Sequence, residues 1–157
     1  MTFATDGKLG VDFTSDSATP LYRVGTTCQG SDGTIWMYIQ FTAVAVTQYQ
    51  FIAVSELYVG AALTSALADY GYKIGVAQSA FTASYYGWVA MSGTAIYGNV
   101  ISGATSGSKL FAGTVGGQLN ITSTLGTYIQ GVSNVTATTT AATSPQLISS
   151  FTQVGVR

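Results

Sequence analysis

From Leu21 onward the pattern is that of β-strands, with side chains of one character recurring at every second position. In Thr34–Thr42, Ile35, Met37, Ile39 and Phe41 point one way and Trp36, Tyr38 and Gln40 the other. One face is aliphatic and the other largely aromatic, and neither suits water. Tyr85–Ser92 repeats the pattern, with Tyr85, Gly87 and Val89 opposed to Tyr86, Trp88 and Ala90. Tyr22–Gln29 and Thr34–Thr42 flank Gly30-Ser31-Asp32-Gly33, a short loop whose Asp-Gly pair signals a hairpin. Gln48–Ser55, Lys73–Ala80, Thr94–Ile101 after a Gly93 turn, and a closing Gln146–Val156 read as further strands. Frequent glycines after Gly103 suit short strands, and Gly116-Gly117 suits a tight hairpin. The Thr/Ala tract Val135–Thr143 reads as a strand at an edge or surface. One helix is expected over Gly60–Tyr70, where Leu63, Ala66, Leu67 and Tyr70 fit helical spacing and Gly71 supplies a stop. The expectation is an all-β, single-domain sandwich or barrel of jelly-roll or tulip-like type over residues 21–157, with one short helix.

Residues 1–20 break this pattern. Asp6-Gly7, Asp12, Asp16 and Pro20 are turn signals, with Phe3, Leu9, Val11 and Phe13 scattered among them. The segment reads as an extended N-terminal arm, with Lys8–Phe13 pairing as an edge strand. Four large apolar residues exceed what a solvated tail needs, so the arm is expected to dock on a neighbouring subunit or another protein.

Composition narrows the function. Only 7% of residues are charged and the formal net charge is −1, so no basic surface draws nucleic acid or an anionic membrane. Charge is depleted at interface cores, which favours life inside an assembly over a monomer with a neutral Ser/Thr surface. The longest apolar segment, Phe41–Val54, is interrupted by Thr42, Thr47, Gln48 and Gln50, well short of the ~18 residues of a membrane helix. Met1–Gly10 lacks the basic start and apolar run of a secretion signal, so cytoplasmic synthesis is expected. Cys28 is the single cysteine, which precludes an intrachain disulfide and reads as a small buried hydrophobe.

The inventory for catalysis is thin. The chain has no histidine, which removes the commonest general base and metal ligand. Glu56 is the single glutamate, and the aspartates sit mostly in the arm and the hairpin turn, where Asp ordinarily forms turns. A carboxyl pair for glycoside hydrolysis is therefore not indicated. Gly103–Lys109 has the wrong spacing for a phosphate loop and no Ser or Thr after the lysine. Asp12-Phe13-Thr14-Ser15-Asp16 resembles the start of a calcium loop, but it lacks the turn glycine and has Arg23 where the closing glutamate belongs. The sequons at Asn120 and Asn134 carry no weight without a secretion signal. No enzyme activity and no cofactor or metal is expected. Trp36, Trp88, Tyr85 and Tyr86 could stack on sugars, although aromatics more often anchor cores or subunit interfaces.

Three segments, in order, carry a family resemblance. Gly30-Ser31-Asp32-Gly33-Thr34-Ile35-Trp36-Met37-Tyr38-Ile39-Gln40, then Lys73-Ile74-Gly75-Val76-Ala77-Gln78, then Tyr85-Tyr86-Gly87-Trp88-Val89 resemble segments of small structural proteins of tailed-bacteriophage virions. The resemblance runs from about Gly25 to Thr143, compositional only in the tail. It implies a capsid decoration, or cement, protein on the virion surface. Such a protein would bind the major capsid protein as a homo-oligomer, commonly a trimer, with no nucleic-acid or membrane partner. The partner and oligomer contacts expected under that reading are Phe3, Leu9, Val11, Phe13, Trp36, Tyr38, Tyr85, Tyr86 and Trp88. The alternative is a receptor- or carbohydrate-binding virion module, such as a head-fibre base or tail-associated protein.

Overall fold

In a computed structural model of the chain, residues 10–122, 127–134 and 144–154 are described. The described chain is nearly all β, with one short helix. Its strands are β1 (Thr27–Gln29), β2 (Ile35–Phe41), β3 (Phe51–Val54), β4 (Val59–Ala62), β5 (Lys73–Val76), β6 (Tyr86–Val100), β7 (Lys109–Ala112), β8 (Leu119–Asn120), β9 (Tyr128–Asn134) and β10 (Ser144–Val154). The helix α1 (Ser65–Ala68) separates β4 from β5.

Five strands, in the order β2-β4-β3-β5-β6, close into a barrel through antiparallel pairing of β2 with β6, where Met37 faces Val89 and Ile39 faces Gly87. The alternation along β2 explains the closure. Met37, Ile39 and Phe41 turn into the lumen and meet Ile52, Val54, Val89 and Met91 from the other strands. Ile35, at the mouth, stays exposed. Fully burying a side chain such as Ile or Phe contributes about 1.5–3 kcal/mol, so the lumen alone is a substantial core.

A second sheet grows from the same long strand. The C-terminal half of β6 pairs with β10, which is followed by β9, β7 and β8, and Val100 pairs with Leu119 to return β8 to β6. A second core lies between this sheet and the outside of the barrel. It joins Phe51, Ala53, Ile74 and Val76 to Ile96, Val100, Leu110, Leu119, Ile129 and Val132. All four residues of β3 are therefore buried, odd positions in one core and even positions in the other.

Several local expectations change. The segment expected as one helix divides: Val59–Ala62 is strand, with Gly60 opposite Phe41 and Val54, and the helix keeps a single turn capped by the Thr64 hydroxyl. Pairing across two neighbouring strands outweighs local helical spacing. Gly93 is not a turn between two strands, because β6 runs through it. A Cβ there would lie 2.5 Å from Oγ1 of Thr34 and 3.0 Å from its Cα. The glycine marks a close approach of backbones where β6 passes from barrel to second sheet. Gly116 and Gly117 sit in the loop joining the antiparallel pair β7 and β8, but Gly113–Gln118 forms a longer connection than a two-residue hairpin. Of Tyr22–Gln29, only Thr27–Gln29 is strand, and residues 10–13 form none. The Val135–Thr143 tract lies outside the described residues.

The Gly30–Gly33 loop closes as expected. Gly30 N–H donates to the carbonyl of Thr34 at 2.7 Å, and the Asp32 carboxylate accepts from the backbone N–H and the hydroxyl of Thr34, each at 2.9 Å. These bonds favour the ionised form, so the Asp32 pKa lies below its ordinary 3.8, the Thr34 backbone bond being the larger cause.

Candidate functional site

The aromatic face of β2 and β6 is covered by the chain's own arm. Phe13 stacks on Trp36 with centroids 4.5 Å apart and planes 8° from parallel, and presents its edge to Trp88 at 5.5 Å. Tyr22 meets Tyr38 at 5.3 Å and Trp88 at 5.4 Å, while Tyr38 and Trp88 lie 5.1 Å apart. Offset and edge contacts of this kind suit the ring quadrupoles, adding about 0.5–1.5 kcal/mol per pair to burial.

Polar bonds hold the arm in register. The Asp16 carboxylate accepts from Thr82 N–H at 2.6 Å. Ser17 and Tyr86 exchange two backbone bonds, of 3.0 and 2.9 Å, and Leu21 N–H donates to the Tyr38 hydroxyl at 3.0 Å. Asp12 closes a local turn by accepting from the backbone N–H and hydroxyl of Thr14. The calcium-loop resemblance is thus used up in turn and arm contacts, and the described residues hold no group of three or more His, Cys, Asp or Glu able to bind a metal. A cleft of about 160 Å³ remains between arm and barrel, bordered by Asp12, Asp16, Tyr22 and Tyr86.

The site expected from sequence is therefore placed differently. Phe13, Trp36, Tyr38, Tyr86 and Trp88 come together, but within one chain. Tyr38 and Trp88 are each only 2% exposed, which corrects the expectation that they face a partner. The arm docks from Asp16 to Tyr22 on its own barrel. Sugar stacking on Trp88 loses its open ring face, and Phe13 occupies one face of Trp36. Val11 and Tyr85 are half-buried, whereas Phe3 and Leu9 lie outside the described residues. Tyr22 completes the cluster, and its place beside Pro20, at the junction of arm and domain, was the available signal. Cys28 is half-buried in β1, not fully buried.

Other apolar side chains do face solvent. Leu57 is 80% exposed and Tyr70 71%, and Leu21, Val44 and Val115 are similarly open. No helix among the described residues is long and apolar enough to cross a membrane.

A second, larger cleft of about 490 Å³ opens where the barrel meets the second sheet. Its lining comes from Thr47–Gln50 before β3, Asn99 near the end of β6 and Val115–Gln118 between β7 and β8. Tyr49 adopts a left-handed backbone, φ +67°, which costs a non-glycine residue roughly 1–2 kcal/mol. Two bonds hold it there: Tyr49 N–H donates to Ala77 O at 2.6 Å, and Tyr49 O accepts from Asn99 N–H at 2.8 Å. Gly117, at φ +75°, lets Gln50 lie where a Cβ would be only 2.6 Å from its Cγ. The breaks in the apolar run at Thr47, Gln48 and Gln50 were the sequence signal of this lining; the contribution of Asn99 and Gln118 had none.

Comparison with protein-family models, curated proteins and solved structures finds no match to this chain.

Proposed function

We propose that the chain is a virion structural protein: a head decoration, or cement, protein that binds the major capsid protein of a tailed bacteriophage as a homo-oligomer, most simply a trimer. The supporting observation is the surface. Large apolar side chains such as Leu57, Tyr70 and Val44 stand in solvent on a chain with only 7% charged residues. Isolated exposed apolar residues are ordinary, but so little charge beside them suits a surface covered by other protein. The absence of histidine from the sequence supports a structural rather than catalytic role. Weak contacts suffice for such a role, because attachment through several equivalent sites strengthens binding by about 10²–10⁴-fold.

The arm has a revised part in this reading. Its described portion covers the aromatic face of β2 and β6, so attachment falls to the exposed loops around Val44, Leu57 and Tyr70. The test is co-sedimentation with purified tailed-phage capsids, with the oligomeric state measured by analytical ultracentrifugation. Wild-type protein should saturate the lattice, and Leu57→Ser with Tyr70→Ser should lower occupancy at unchanged Tm. A monomer that fails to sediment with expanded or unexpanded capsids would refute the reading.

A further inference from the structure

We infer that the cleft between barrel and second sheet is a binding site for a neutral oligosaccharide. The polar groups of the lining are uncharged: Thr47, the carboxamides of Gln48, Gln50, Asn99 and Gln118, and the Gly116-Gly117 backbone, while Tyr49 and Val115 add apolar surface. Its volume of about 490 Å³ falls in the range of about 300–1,000 Å³ typical of small-molecule sites. Phosphate, sulfate or carboxylate ligands call for Arg or Lys, and no charged residue lines this cleft. A carboxamide presents a donor and an acceptor side by side, which matches the paired hydroxyls of a sugar ring.

Two of the amides, Gln48 and Asn99, are each fixed through a single donor bond. Gln48 Nε2 donates to Gln78 O at 2.9 Å, and Asn99 Nδ2 donates to Gln48 O at 3.4 Å. Each bond uses one of two amide protons and fixes the plane of the group. The Gln48 Oε1 and Asn99 Oδ1 atoms accept no hydrogen bond among the described residues. Gln50 is braced at both ends, accepting from Thr47 N–H at 3.0 Å and donating to Gly116 O at 3.4 Å.

Tyr49 is the aromatic residue of the lining, and Tyr97 lies next to it, outside the lining. The Tyr49 ring lies 6.0 Å from that of Tyr97, and Tyr97 is 44% exposed. Tyr97 is itself fixed by Gln78, which donates to its carbonyl at 2.9 Å and accepts from its N–H at 3.2 Å. An exposed tyrosine offers an apolar face for the C–H side of a sugar and a hydroxyl at its tip. The left-handed backbone of Tyr49 fits the same use, since residues held in sparsely populated conformations cluster at ligand sites. The side chains argued here are not the Leu57, Tyr70 and Val44 side chains that carry the capsid reading, and each proposal can fail without the other.

The experiment is an amide chemical-shift titration of the full chain with maltose, cellobiose, lactose and N,N′-diacetylchitobiose. Concentrations up to about 10 mM reach millimolar dissociation constants. At least one sugar should give saturable shifts concentrated in residues 47–50, 97–99 and 115–118. Tyr97→Ala and Gln48→Ala alter partly or fully solvent-exposed side chains, and each should weaken binding about tenfold with the remaining spectrum unchanged. Absence of shifts with all four sugars, shifts mapping elsewhere, or affinity indifferent to both substitutions would overturn the site. Tighter binding of sialyllactose or of trialanine would overturn its assignment to neutral sugars.

Discussion

The barrel is covered on two sides by two different devices. On one side, the second sheet packs Leu110, Leu119 and Ile129 against Phe51, Ile74 and Val76, and it is joined to the barrel through the shared strand β6. On the other, the arm lays Phe13 and Tyr22 over Trp36, Tyr38 and Trp88, held by the Ser17–Tyr86 bridge and the Asp16–Thr82 bond. The sheet cannot leave without breaking β6 and its ladder. The arm needs to lose only a few bonds and ring contacts, so it is the natural unit of local opening. Both devices bury apolar strand faces, but only the sheet shares a strand with the barrel.

The largest expected effect lies on the sheet side. Leu110→Ala should cost about 2–5 kcal/mol and lower the thermal and denaturant midpoints together, because Leu110 is fully buried in the second core. A loss confined to a subset of amides would erase the contrast with the arm. Gly93→Val tests the seam, where a side chain would collide with Thr34. A cost of about 1–3 kcal/mol is expected, with faster hydrogen exchange in both β2 and β10, and an unchanged Tm would show that the crossover can relax freely.

On the arm side, Phe13→Ala should cost about 1–2 kcal/mol and act locally. Its signature is faster exchange at the Thr82 and Tyr86 amides, which the arm's Asp16 and Ser17 engage, with red-shifted tryptophan fluorescence and little change at β3. Equal acceleration at β3 amides would make the arm part of the global unit.

The smallest effect concerns the hairpin at the mouth of the barrel. The pKa of Asp32 is lowered on folding, so its contribution is fully present above its ordinary value of 3.8 and is lost as pH falls through the lower folded value. Asp32→Asn removes one acceptor from the Thr34 hydroxyl and should cost about 0.5–1 kcal/mol at neutral pH. The wild-type and variant stability curves should converge as pH falls below 3.8 and through the lower folded value. A constant gap down to the acid limit would assign the effect to packing alone.

Much of the fold was legible in residue order. The strands β2, β3, β5 and β10 fall where alternation or apolar runs place them, and Asp32-Gly33 marks the first hairpin. The strand β4 was hidden because Val59-Gly60-Ala61-Ala62 has neither β-branched density nor alternation, and the adjoining leucines and alanines fit helical spacing. The amide cleft was hidden for another reason: its lining comes from three segments more than 15 residues apart, a separation across which no local pattern extends. The role of Tyr38 and Trp88 was misplaced because an apolar strand face reads alike whether its cover is the same chain or another.

What sequence alone determined is the class of structure and the chemistry within reach. Period-two alternation allows strands, and a chain with no histidine and little charge has few groups for catalysis or for attracting anionic polymers. Tertiary structure decided which surfaces remain open. Side-chain alternation says that a face must be buried, whereas the choice between arm, second sheet and partner depends on contacts between residues far apart in the chain. Here β6 crosses from one sheet to the other at Gly93, and the arm folds back at Asp16. Those two contacts turn a sequence of two-sided strands into a barrel covered by its own chain, leaving the amide cleft and a few apolar loops in solvent.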